Sequence, residues 1–225
     1  MESTKTTIHY SDSIKESLII AIGLFFIFSS FVFVPFKKGP TSAKYFAPSR
    51  EVVHFTFGYR EVMADMGWLR ALQDFDYCEE KINETDCKGK GWLYQVLDVV
   101  TELSPKFRVP YSAGGIALNV LVNDYDGASL LFDKAVVHFP TDWPILYRAA
   151  YHAIEYEKDQ LKAANLMERA GRNGAPDWVF SLSTKLYTEG GRKEMGERLY
   201  NEMKEQGFSE HVLERMRKRL DGEKL

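Results

Sequence analysis

The chain has 225 residues, of which 45% are hydrophobic and 27% charged, with a formal net charge of −3. That length suits one core of about 170 residues beside a separate segment, and the balanced composition excludes general disorder. The slight acidity, with Lys and Arg scattered, excludes nucleic acid as the main partner, because phosphate recognition needs a concentrated basic field.

Residues 1–17 form a short polar tail. Leu18 to Phe36 then runs LIIAIGLFFIFSSFVFVPF without a charge. As a helix it would span roughly 28 Å, matching a bilayer core of about 30 Å. Lys15 and Glu16 precede it and Lys37 and Lys38 follow, with only Ser29 and Ser30 polar between them. A membrane-spanning helix is expected. A cleaved signal peptide would have a shorter apolar region, about 7–15 residues, and a small-residue cleavage site. Here the run ends in Pro35-Phe36-Lys37-Lys38, so the segment is expected to stay. Residues 37–50, including PTSAKYFAP, have a linker composition.

Orientation signals conflict. Lys37, Lys38, Lys44 and Arg50 outnumber the basic residues of the N-terminal flank, which by positive-inside counting places the C-terminal domain in the cytoplasm. The two cysteines, Cys78 and Cys87, lie in one loop-like stretch where they can close a small ring, and such a bond persists in an oxidising compartment. Two unrelated free thiols are the alternative. The pair is not spaced as a CxxC motif, and no second pair exists to complete a zinc site.

Beyond the linker the chain reads as helices over 51–75, 91–103, 109–122, 126–138, 143–156, 158–172, 177–188, 191–206 and 209–220. No stretch alternates with period two for long enough to form a strand. A fixed period runs through these helices. Ala128, Phe132, Ala135 and Pro140 make a small, aromatic, small, proline series. Ala163, Met167 and Ala170 repeat it 35 residues later, and Gly196, Tyr200 and Met203 repeat it after a further 33. Leu93, Leu97, Val100 and Pro105 anticipate it 35 residues earlier. Asp142-Trp143 and Asp177-Trp178, also 35 apart, mark the same period. A small residue lets two antiparallel helices approach, the larger residue one turn on fills the groove beside it, and proline ends the pair. In the last helix Val212, Leu213, Met216 and Leu220 form one stripe, so residues 207–225 are expected to cap the stack with a polar outer surface.

These residues resemble tetratricopeptide (TPR) repeats, whose period is about 34, over roughly residues 55 to 205. More narrowly, Phe57-Gly58-Tyr59-Arg60, Ala64-Asp65, Trp68-Leu69-Arg70-Ala71 and Gly91-Trp92-Leu93 resemble bacterial inner-membrane proteins that carry a short anchor before such repeats. The resemblance implies an all-α, right-handed superhelix of helix hairpins over 51–206, interrupted by the 76–90 insertion, and a single-pass location in the bacterial inner membrane. Together with the cysteine pair it implies a domain facing the periplasm. It further implies a concave groove lined by the first helix of each pair, where a partner protein lies as an extended or helical segment. Carried onto this chain, that geometry points to Asn119, Arg148, His152, Glu155 and Lys185.

Motifs of catalysis are sparse. His9, His54, His138, His152 and His211 form no HExxH pair. Asp124-Tyr125-Asp126-Gly127 has Val122 where a calcium loop needs its first ligand and reads as an interhelical turn. Gly114-Gly115 reads as a close helix contact. No cofactor, metal or small-molecule substrate is expected, and no enzyme. The leading reading is a scaffold that binds other proteins in a cell-envelope complex. The alternatives are an accessory subunit of a larger membrane complex, or a cell-wall hydrolase using a helical acid such as Glu155 or Glu157.

Overall fold

The computed structural model describes residues 17–26, 29, 48–73, 89 and 91–222. The chain divides into two compact units, Met1–Lys44 and Tyr45–Leu225. In the first, residues 17–26 are helical and their large side chains, Leu18 to Phe26, are exposed. Among the described residues no helix is long and apolar enough to cross a membrane. Residues 27, 28 and 30–36 of the apolar run, 37–47 of the linker and the 76–90 insertion except Gly89, with both Cys78 and Cys87, lie outside the described residues.

The second unit is all-helical among its described residues. A 3-10 turn at Arg50–His54 precedes nine α-helices: α1 (Arg60–Gln73), α2 (Trp92–Leu103), α3 (Arg108–Val120), α4 (Tyr125–His138), α5 (Trp143–His152), α6 (Gln160–Arg172), α7 (Trp178–Glu189), α8 (Lys193–Glu205) and α9 (Glu210–Leu220). A π-helical turn, Ala153–Glu157, separates α5 from α6. Each helix packs on its neighbour in the chain, and α2 also meets α4, α3 meets α5, and α7 meets α9.

Two expected elements differ. The helix expected at 51–75 is broken, because Phe57 and Gly58 adopt φ of 48° and 87°, which no α-helix accommodates. The helix expected at 143–156 ends as an α-helix at His152, and the π turn closes on Lys158 in the left-handed region at φ 56°.

Local chemistry explains the starts. Asp124, Asp142 and Asp159 each cap a helix, accepting from the amides of Gly127 (3.0 Å), Ile145 (3.2 Å) and Lys162 (2.9 Å). Such caps contribute about 1 kcal/mol apiece. Asp177 holds the same place before α7 but makes no side-chain cap bond. Asp124 also accepts from the Gly89 amide at 2.9 Å, which ties residue 89 to the start of α4.

The series of small and larger residues forms the seams. Ala128, Phe132, Ala135, Ala163, Met167 and Ala170 are all buried, as are Leu93, Leu97, Val100, Gly196 and Met203. Gly114 and Gly115 allow the close approach expected of them: a Cβ on Gly115 would lie 2.5 Å from the Phe132 ring, and one on Gly114 would lie 2.7 Å from Leu97. Basic side chains cap exposed helix ends, Arg60 donating to the Glu102 carbonyl (3.0 Å) and Lys106 to that of His138 (3.2 Å). Val212, Met216 and Leu220 of α9 are buried, and α9 closes the stack against α7 and α8.

Candidate functional site

α3 and α5 lie side by side, and each commits one stripe to the core: Tyr111 and Leu118 on α3, Ile145 and Ala149 on α5. The residues beside those stripes face a common opening. Ile116, Asn119 and Val120 form one wall and Tyr147, Arg148 and Tyr151 the other. Phe132 of α4 and Tyr156 of the π turn complete a cavity of about 240 Å³. That is small beside the cofactor sites of roughly 300–1,000 Å³; it has room for one or two side chains. Four of its residues, Ile116, Val120, Tyr151 and Tyr156, are exposed, so the wall is apolar and open.

Two polar groups stand in this apolar wall. Asn119 is 8% exposed, and its buried Oδ1 has no hydrogen-bond partner. Such an oxygen costs free energy until a donor reaches it. Arg148 is half-buried and enters no ion pair among the described residues. Arg108 chiefly, with Arg148 at longer range, holds Asp142 below the usual carboxylate range. Arg108 is spent on that contact, donating to Asp142 Oδ1 at 2.9 Å, whereas Arg148 keeps its donors.

His152 lies beneath the groove at 1% exposure. Its ring stacks on Tyr156 (5.3 Å) and tilts against Phe132 (5.4 Å), and Tyr156 stacks in turn on Tyr125 at 4.5 Å. Its Nε2 is 2.7 Å from Ser129 Oγ. The Ser129 hydroxyl donates to the Tyr125 carbonyl at 3.1 Å, which assigns the imidazole proton to Nε2 as donor. Nδ1 is left bare and has no partner. Burial pushes the imidazole below its usual pKa, and Glu157, 3.6 Å from the same Nε2, opposes this only in part. Glu157 itself is engaged by Lys162 at 2.8 Å, and Lys162 reaches Asp133 at 2.6 Å. A carboxylate on the same nitrogen as the serine cannot orient the ring for proton transfer, so Ser129, His152 and Glu157 are no nucleophilic triad. They are a packed support that fixes the π turn and so places Tyr156 at the groove.

No protein-family model matches this chain, and comparison with curated proteins and with solved structures yields no match.

Of the residues singled out by sequence, Asn119 and Arg148 converge in the groove. His152 supports it from below without reaching solvent. Glu155 is exposed on the π turn but does not line the cavity. Lys185, on α7, pairs with Glu189 at 3.4 Å and lies outside it. Among the described residues no three His, Cys, Asp or Glu side chains gather where they could hold a metal ion. Sequence reading missed the aromatic wall, although its signal was present. Tyr147 and Tyr151, four apart, sit off the Ile145, Ala149, Ala153 stripe, and Ile116 and Val120 repeat that spacing on α3. A second apolar face on a helix whose first face is already committed marks a surface for something else.

Proposed function

We propose that this protein is a TPR-like adaptor, held at a bacterial inner membrane by a spanning helix over 18–36, that captures a segment of a partner protein in the α3–α5 groove. The observation that carries the reading is the pairing of an open aromatic wall with an unpartnered Asn119 oxygen and an uncommitted Arg148. A segment that matches it presents one bulky apolar side chain to Tyr147, Tyr151 and Tyr156. It offers a backbone N–H to Asn119 and an acidic group to Arg148, whose planar guanidinium suits a carboxylate. The helical pairs that stack in chain order, with the small-residue series at their seams, support the TPR-like solenoid.

The domain faces the periplasm in this reading, where Cys78 and Cys87 form a ten-residue ring. Labelling intact cells with a membrane-impermeant thiol reagent, and then denatured unreduced protein, tests this. No labelling in either state is expected; two thiols labelled only after lysis would place the domain in the cytoplasm.

Peptide selection by phage display on the detergent-solubilised full chain tests the groove. Selected peptides should share an apolar and acidic pair, and the double variant R148A/Y151A should bind them at least about tenfold more weakly, near 1.4 kcal/mol. Unchanged affinity in a double variant of native helicity would remove the groove from the function.

A further inference from the structure

α1 has two apolar faces, and the core accounts for one. Ala64 and Ala71 are buried, and Gly67 lets α2 approach so closely that a Cβ there would lie 2.7 Å from Val100 Cγ2. On the opposite side Val62, Met66 and Leu69 form a stripe with 53, 66 and 56% exposure. The turn before the helix continues it, with Phe55 exposed and Phe57 89% exposed. Phe57 is held at φ 48°, a conformation that a bulky residue rarely adopts and that points to a use for its position. Glu61 and Asp65 border the stripe along one edge.

The chain itself limits what can cover this face. The apolar run ends at Phe36 and the described residues resume at Pro48, with eleven residues, 37–47, between them. At about 3.3–3.6 Å per residue that tether is at most ~40 Å long. A bilayer holding the apolar run is therefore always within reach of residues 55–69, at a local concentration that no freely diffusing protein matches. Phe, Tyr, Met and Leu are side chains suited to the headgroup–acyl boundary, and Lys37, Lys38 and Lys44 in the tether draw it toward anionic headgroups.

We propose that the Phe55–Tyr59 turn and the outer stripe of α1 form a bilayer-docking face that lays the repeat domain on the anionic lipid surface to which it is tethered. The inference rests on the anchor reading above. Full-length protein is reconstituted into phosphatidylcholine–phosphatidylglycerol vesicles with or without bromine on the acyl chains. The added tryptophan emission of F57W is then compared with that of V137W, whose site on α4 is also exposed. Bromolipid should quench the added F57W emission more than twofold and leave that of V137W unchanged, and adding M66D and L69D should abolish the quenching. M66W, with L69D and V62D as the added changes, replaces F57W if the latter does not keep native helicity. Protein that floats with the vesicles but shows no quenching at residue 57 overturns the docking face alone. Protein that does not float overturns the anchor reading and the docking face with it. Emission shielded from both bromolipid and aqueous iodide, in a sample that sediments as a dimer, overturns the proposal in favour of a second copy of the chain.

Discussion

The α5–α6 hairpin and α1 are both built on small residues, and they differ in what lies behind the seam. In the hairpin, Ala149, Ala150 and Ala153 on one arm and Ala163, Ala164 and Ala170 on the other are all buried, and α6 packs in turn on α7, whose Val179 and Phe180 are buried too. Ser183 donates to the Ala164 carbonyl at 2.8 Å, and Tyr187 to Glu168 at 2.8 Å, which adds polar contacts across the α6–α7 seam. α1 has a seam on one side only, and polar clamps hold the rest. Arg60 reaches the end of α2, and Arg50 ties the 3-10 turn to Asp98, which Lys134 of α4 also engages at 3.1 Å. A stack stabilised by nearest neighbours is strongest where a helix has two and weakest at its ends. Stability should therefore be graded along this domain, and an end helix is the natural place for a face reserved for something outside it.

Breaking the interior should cost most. Phe132→Ala removes a ring buried between Gly115 and His152 and should cost about 3–5 kcal/mol in urea unfolding of the detergent-solubilised protein. A loss below ~1 kcal/mol would contradict two-sided packing. Next is the buried acid of α6. Glu168 accepts from Arg172 (2.8 Å) as well as from Tyr187, and Glu168→Gln should cost about 2 kcal/mol. A cycle with Tyr187→Phe should show coupling, because burial and, after it, the bond to Glu168 hold that phenol well above its usual pKa. Additive costs would show that the contact is incidental.

At the weaker end, Arg50→Ala leaves Asp98 with Lys134 and should cost no more than about 1 kcal/mol, since Arg50 is exposed. Its effect should be local: amide exchange should quicken at Val52 and Phe55 while α5 and α6 keep their protection. Equal acceleration throughout would mean that the domain is one cooperative block. His152 sharpens the interior side. Its folded pKa lies below the unfolded value of about 6.5, so the unfolded chain takes up a proton that the folded chain refuses. This contribution to stability is whole above about pH 6.5 and declines as pH falls toward the folded value. Between pH 7.5 and 5.5 the Tm of the wild type should fall more than that of His152→Phe; parallel curves would count against a buried neutral imidazole. Leu69→Ser on the outer face of α1 should change stability least, within about 0.5 kcal/mol, and a larger loss would show that the stripe is covered within the domain.

Sequence alone determined the all-helical class, most helix boundaries and the residues of the seams. Ala128, Phe132 and Ala135, and their counterparts Ala163, Met167 and Ala170, could be read as buried because a 3.6-residue period marks a helix face whatever covers it. Only tertiary packing decided which of two apolar faces a helix buries, and it decided differently for Tyr151 than for Ala149. It decided that His152 turns inward with the Ile145 and Ala149 stripe, seven and three residues before it, where Ser129, Phe132 and Tyr156 pack around the ring. It decided as well that Lys185 pairs along its own helix while Arg148 remains uncommitted beside Asn119. The period is local, written within a few turns of one helix. A groove belongs to two helices, α3 and α5, whose facing residues lie about one repeat apart in the chain and meet only when the stack forms.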